Sequence, residues 1–184
     1  MNFLIYAHWF MPIRISQMKD HSISVDKAKY STSIVEKYLY TDTVKAITKL
    51  YKTNLPSGMI FTKADTSNSD EQVENLTRKF NIHYRSCIGS LIYLLSTRVD
   101  LSFAVHKLET VSSNPSTVHF EGLVHILRYI RYNNNLGFKY YANIDDAPVS
   151  DILRQVGIKI ENKLMDLSNS SWKDSPDTGR STGS

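Results

Sequence analysis

The sequence predicts an α+β protein, with a β-hairpin near the N-terminus, a helical bundle in the middle and short strands towards the C-terminus. Residues 13–25 alternate apolar and polar side chains, a pattern typical of β-strands. Residues 84–134 repeat apolar side chains every three or four positions, a pattern typical of amphipathic helices. With 184 residues, of which 41% are hydrophobic, the chain suits one packed domain, or one domain plus a fragment, rather than a disordered segment.

The N-terminal part is predicted to form a hairpin followed by a helix. Its strands lie at 13–15 and 23–25, with Lys19 and Asp20 at the turn. Asp26 comes next and is a residue type that caps helices. The following helix is predicted from apolar residues at helical spacing: Tyr30, Ile34 and Tyr38.

Residues 41–83 show no sustained period and carry Pro56, Gly58 and the polar run TSNSDEQ. Such composition indicates a long connection over the surface. We therefore predict the most flexible part of the chain here.

Three further helices and a strand are predicted between 84 and 141. The first has the apolar face Tyr84, Ile88, Leu91 and Leu95. Asp100 is predicted to cap the second, whose apolar stripe is Leu101, Ala104, Val105, Leu108 and Val111. Pro115 is placed to start the third, which has the apolar residues Phe120, Leu123, Val124, Leu127 and Ile130. The run NNNLG then ends it, with Gly137 as the break before the short strand FKYY.

The third helix carries the candidate binding residues. Its other side is basic and aromatic, with His119, His125, Arg128, Arg131 and Tyr132. Arg128 and Arg131 are three positions apart and share a face from which guanidinium groups can reach phosphates.

A net charge of +4 also favours a polyanionic partner, RNA or DNA. The candidate nucleic-acid-binding residues are Arg98, Lys107, His125, Arg128 and Arg131. The alternative is an ordinary solvated helix face.

The sequence predicts no catalytic residue, metal ligand or cofactor. Asp145 and Asp146 precede Ala147-Pro148, a context typical of a solvated turn rather than of metal-binding aspartates between two strands. The six histidines lack metal-ligand spacing, and the one cysteine, Cys87, cannot complete a zinc site. No glycine loop suited to phosphate is present in the sequence.

The single cysteine is compatible with a reducing compartment. No apolar run reaches the roughly 18 residues of a membrane helix, and MNFLIYAHWFMP lacks the basic leader of a signal peptide. We expect an intracellular location, cytoplasm or nucleus, with no membrane partner and no targeting signal.

The stretch from YRSCIGSLIYLL through STRVDLSFAV to LRYIRYNNNLGFKYY, residues 84–141, resembles the polymerase polyprotein of copia-type LTR retrotransposons. Its segments follow the family order Tyr-Arg-Ser-x-x-Gly-Ser-Leu, Thr-Arg-Pro-Asp, Asn-Pro-x-x-x-His and Leu-Arg-Tyr-Leu-Lys. The resemblance is looser outside this stretch. It implies a truncated remnant of a yeast-type element, spanning the C-terminal part of reverse transcriptase and the start of RNase H.

The resemblance also implies a division of the chain and of its fold. Residues 1–83 would be the end of the palm, with its hairpin, and a linker; residues 84–141 the helical thumb or connection; and residues 142–184 a truncated RNase H-like start with incomplete strands. LSNSSWKDSPDTGRSTGS is similar to the RNase H entry segment, but Asn169 and Ser171 occupy the positions of family aspartates.

Mg²⁺ would be the family cofactor, and a neutral amide cannot replace a bridging carboxylate. The polymerase aspartates of the family fall ahead of the part that matches residue 1. The sequence thus predicts a catalytically inactive remnant. Two alternatives stay open: a residual nucleic-acid-binding module, and an interaction protein that associates with the intact element polymerase.

Overall fold

The structure, a computed structural model, describes residues 9–10, 12–39, 51–56, 66 and 69–143. Strands and helices both occur along these residues, which confirms the α+β class. The turn predicted at Asp145 and Asp146 and the RNase H-like strands predicted after 142 lie outside the described residues. The three-part division of the chain stays a prediction.

Four strands form one sheet in the order β1 (Trp9–Phe10), β2 (Ile13–Gln17), β3 (Ile23–Asp26) and β4 (Gly137–Tyr140). β1 and β2 are antiparallel, with Phe10 opposite Ile13. The predicted hairpin is therefore confirmed as β2 and β3, and the predicted FKYY strand as β4.

Asp26 connects the sheet to the first helix. Its Oδ1 accepts a hydrogen bond from the Ala28 backbone N–H at 2.9 Å, and its Oδ2 accepts one from Arg14 Nε at 3.0 Å. The carboxylate thus satisfies a donor at the start of the helix, but the N-cap residue is Lys27, one position beyond the predicted Asp26. Gly137 lies against the same residue, since a Cβ there would come 2.7 Å from Asp26 Cβ.

Contacts divide the chain into two units, residues 1–15 with 25–138, and residues 16–24 with 139–184. In the second unit the described residues include the hairpin turn. Asp20 Oδ1 accepts hydrogen bonds from the Ser22 N–H and hydroxyl at 3.1 and 2.6 Å, and His21 adopts a φ of 62°. Those two bonds from Ser22 hold the pKa of Asp20 below its usual value.

The described helices belong to the first unit. They are α1 (Ala28–Tyr38), α2 (Asp70–Phe80), α3 (Tyr84–Leu94), α4 (Ser102–Glu109) and α5 (Thr117–Tyr132), with a 3₁₀ turn at Val99–Leu101 before α4. α1, α3, α4 and α5 share one hydrophobic core. Its fully buried members include Leu91, Leu94, Ala104, Leu108, Phe120, Leu123 and Leu127. None of the described helices is both long and apolar enough to cross a membrane.

At Asp70–Phe80, α2 corrects the prediction of a long surface connection over 41–83. Ser69 caps it by accepting from the Gln72 N–H, and Asn81 ends it in the left-handed conformation at a φ of 52°. Acidic residues occupy its first turn and basic residues its last, an arrangement that suits the helix dipole. None of its residues is fully buried, but Leu76 and Phe80 pack against the core, with the Phe80 ring stacked on Phe120 at 5.2 Å between ring centres.

Candidate nucleic-acid interface

α5 presents the predicted basic residues on a helix with a firmly held N-terminus. Ser116 and His119 form a capping box, in which the Ser116 N–H donates to His119 Nδ1 at 2.9 Å. His119 is fully buried, which corrects its prediction as part of the basic face. Because Phe120, Leu123 and Leu127 anchor one side in the core, the other side keeps a fixed orientation.

The segment 51–56 packs along α5 and brings Tyr51 to two of the candidate residues. Arg128 Nη1 donates to the Tyr51 hydroxyl at 3.0 Å, and the guanidinium carbon lies 5.8 Å from the centre of the Tyr51 ring. His125 meets the same ring edge-on at 4.6 Å, and its Nε2 donates to the Thr53 carbonyl at 2.9 Å. The structure therefore assembles His125 and Arg128 around Tyr51.

Arg131 is exposed on α5, three positions beyond Arg128. Lys52 is exposed in the segment that carries Tyr51. Lys107 lies on a different helix, α4, where its Nζ is 5.7 Å from the centre of the Phe103 ring. The structure thus places Arg128 and Arg131 on one helix and Lys107 on another.

The prediction that Arg98 binds nucleic acid is wrong, because its side chain is only 1% exposed. Its Nε and Nη2 donate to the two carboxylate oxygens of Asp100 at 2.9 and 2.8 Å, and its Nη1 donates to the Asn133 carbonyl at 2.7 Å. A guanidinium that is buried and engaged in this way cannot reach a phosphate. Arg98 instead ties the start of the 3₁₀ turn to the end of α5.

Asp100 is also corrected, since its side chain does not cap the second predicted helix. Besides Arg98, it accepts a hydrogen bond from the Tyr129 hydroxyl at 3.0 Å. Burial raises the pKa of Asp100, but the hydrogen bonds and charge of Arg98 and the bond from Tyr129 outweigh it, so the net pKa is lowered. The ionised carboxylate neutralises Arg98, so the pair adds no net charge beside α5.

The described residues offer neither a reactive thiol nor a cluster of side chains suited to a metal ion. Cys87 is fully buried, and burial raises the pKa of its thiol, which removes the thiolate character a nucleophile needs. Over the described ranges, no cluster of three or more His, Cys, Asp or Glu side chains could hold a metal ion. Asn169, Ser171 and the Asp145-Asp146 pair lie beyond those ranges.

Sequence reasoning missed Tyr51 as an interface residue. The signal was present, because Lys49, Tyr51 and Lys52 interleave basic and aromatic side chains, a pattern found in nucleic-acid-binding surfaces. The contact itself spans 77 positions and could not be inferred from local spacing.

Part of the chain is similar to retrotransposon polyproteins. It is 35% identical over 78 residues to the Retrovirus-related Pol polyprotein from transposon RE2 of Arabidopsis thaliana, covering 37% of this chain and 5% of that protein. It is 43% identical over 54 residues to the corresponding polyprotein from transposon RE1 of the same plant, covering 29% and 4%.

A third match is the Secreted RxLR effector protein 161 of Plasmopara viticola, 34% identical over 61 residues that cover 33% of this chain and 43% of that protein. No protein-family model and no solved structure matches the chain. The polyprotein matches support a retrotransposon polyprotein origin, and the chain spans only a small part of those relatives.

Proposed function

We propose that the chain is a catalytically inactive stretch of a copia-type reverse transcriptase and RNase H polyprotein. The observation that carries this proposal is the pair Asn169 and Ser171, which stand where the resembling family has metal-binding aspartates. Two-metal catalysis needs anionic oxygens that bridge both ions, and neither an amide nor a hydroxyl supplies that charge.

The test is a pair of assays on the purified chain with Mg²⁺: primer extension on an RNA template, and cleavage of the RNA strand in an RNA–DNA hybrid. The proposal predicts no activity above buffer in either assay. Extension or cleavage that the D145A/D146A variant abolishes would overturn it.

We further propose that the α5 face binds the backbone of nucleic acid, for which the geometry offers a specific observation. Arg128 and Arg131 lie three positions apart on a helix held by the core, with the exposed Lys52 on the adjoining segment. Arg98 and Asp100 neutralise each other, so their pair adds no net charge to oppose a phosphate. Positive side chains on a rigid helix contact phosphates without reading base sequence.

The binding test compares two double variants that each remove two positive charges. R128A/R131A changes the proposed face, whereas R78A/K79A changes the exposed end of α2 and keeps the same net charge. We expect R128A/R131A to weaken binding to an RNA–DNA hybrid while R78A/K79A binds as the unmodified chain does. Equal losses in the two variants would refute the assignment of the face.

Association with the full-length element polymerase is a separate proposal, supported only by the origin of the chain. Co-purification of a tagged chain with the intact polymerase, in extracts treated with nuclease, is the outcome expected. Failure to co-purify would remove it without affecting the binding proposal.

A further inference from the structure

Three aromatic rings meet beside the arginines of α5. Tyr51 and His125 contact edge-on at 4.6 Å between ring centres, and Tyr51 and Tyr132 stack at 6.5 Å with planes 26° apart. We call Tyr51, His125 and Tyr132 the aromatic cluster. All of its members belong to the first unit.

The three rings of the aromatic cluster differ in how far they are exposed. Tyr51 and His125 are half-buried, and their contacts with Arg128 and the Thr53 carbonyl fix their positions. Tyr132 is 37% exposed at the end of α5. An exposed ring backed by a fixed ring loses little conformational freedom when a planar ligand stacks on it.

We propose that the aromatic cluster stacks an unpaired base of single-stranded nucleic acid, with Tyr132 as the outer ring and with Arg128 and Arg131 meeting the neighbouring phosphates. The inference rests on the proposed nucleic-acid binding and names its substrate class. Rings interleaved with cationic side chains form the usual binding surface for single strands.

The single strand is favoured over a paired duplex because of what each exposes. In a duplex the faces of the bases are covered by their stacked neighbours, whereas a single strand can splay a base out onto a ring. The cluster offers rings for this purpose, and Arg131 gives the same surface a positive charge. That charge complements a phosphodiester, which makes a nucleic acid the better occupant than an apolar protein segment.

The test is fluorescence anisotropy with oligonucleotides of about 12 nucleotides, a length within the range of single-strand sites. One oligonucleotide carries all its bases, and a second carries abasic positions at its centre. The proposal predicts that Y132A weakens binding to the first by at least about fivefold and leaves binding to the abasic strand unchanged. Y132F should bind as the unmodified chain does, because the ring is kept.

Two control variants separate stacking from other effects. Y132L keeps apolar bulk without a planar ring and should lose as much affinity as Y132A. F103A removes another exposed ring, 61% exposed on α4, and should bind normally. Full affinity in Y132L, or a loss of similar size in F103A, would overturn the proposal.

The same titrations distinguish this inference from the proposed function on which it rests. Strong, salt-sensitive binding that does not differ between the intact and abasic strands would sink the stacking site and leave phosphate binding standing. Absence of binding to both strands and to a duplex would remove both. RNA and DNA strands should show the same loss on Y132A, since the ring reads the base face; a loss confined to RNA would contradict stacking.

Discussion

Removing the carboxylate of Asp100 is expected to destabilise the first unit more than removing any single exposed charge does. Asp100 accepts two hydrogen bonds from Arg98, at 2.9 and 2.8 Å, and one from Tyr129 at 3.0 Å. In D100A the Arg98 guanidinium, 1% exposed, stays buried with only the Asn133 carbonyl as acceptor. Breaking such a pair by removing one partner costs about 3–5 kcal/mol.

The expected loss lies near the lower end of that range. The Asp100 side chain is 33% exposed, so water can reach part of the vacated site, and the bond from Arg98 to Asn133 remains. We expect D100A to lower the free energy of unfolding by about 3 kcal/mol, a large share of the stability of a small domain.

The assay is urea unfolding of the purified chain followed by circular dichroism. E74A is the matched control, because Glu74 pairs with Arg78 on the surface of α2, where the side chains are 64% and 71% exposed. It should cost less than about 0.5 kcal/mol. A double-mutant cycle with R98M should give a coupling energy of at least about 2 kcal/mol. A loss below about 1 kcal/mol in D100A, or no coupling to Arg98, would refute the reasoning.

The remaining predictions concern glycine, acid and thiol chemistry. G137A should destabilise the chain by about 1–3 kcal/mol, because its Cβ would overlap Asp26. G89A should stabilise the chain by about 0.5–1 kcal/mol, because Gly89 lies in a helix interior with open space around it. Equal effects of the two variants in urea unfolding would contradict the geometry. The pKa of Asp100 is lowered below its unfolded value of 3.8, so its contribution to the free energy of unfolding is present above that pH and is lost as pH falls through the folded pKa. D100N should therefore lose less stability on acidification than the unmodified chain. Parallel plots of unfolding free energy against pH for the two proteins would refute this. Cys87 should react with a thiol reagent only as fast as the core opens, and fast labelling of the folded chain would show otherwise.

The sequence predicted the elements whose local pattern and tertiary environment agree. α1, α3, α4 and α5 each place their repeated apolar residues in one core, so a period of three to four positions was enough to find them. The hairpin followed from alternation in β2 and β3. Gly137 was predicted to separate the third helix from the strand; the helix ends at Tyr132 with Asn133 as its C-cap, and Gly137 is the first residue of β4.

α2 escaped prediction although its sequence carries several helix signals. Ser69, the first-turn acids and the last-turn bases are helix signals, but no residue of α2 is buried. Val73, Leu76 and Phe80 also follow helical spacing, but they stand in a polar stretch whose composition indicated a loop.

The candidate site was only partly predictable for a related reason. Arg128 and Arg131 could be paired from helical spacing alone. The burial of Arg98, and the partnership of Asp100 with Arg98 and Tyr129 instead of a helix cap, depend on where α5 ends relative to the 3₁₀ turn. Sequence spacing does not contain that information. Nor does it show that Tyr51 contacts His125 and Arg128 of α5.

The central claim is that the α5 face binds nucleic acid through its arginines. The salt dependence of binding to an RNA–DNA hybrid tests it most directly. Each phosphate contact contributes about one unit to the slope of log affinity against log salt concentration. The account predicts that R128A/R131A lowers the slope by about two units relative to R78A/K79A, with weaker binding throughout. Identical slopes for the two variants, or binding insensitive to salt in the unmodified chain, would contradict it.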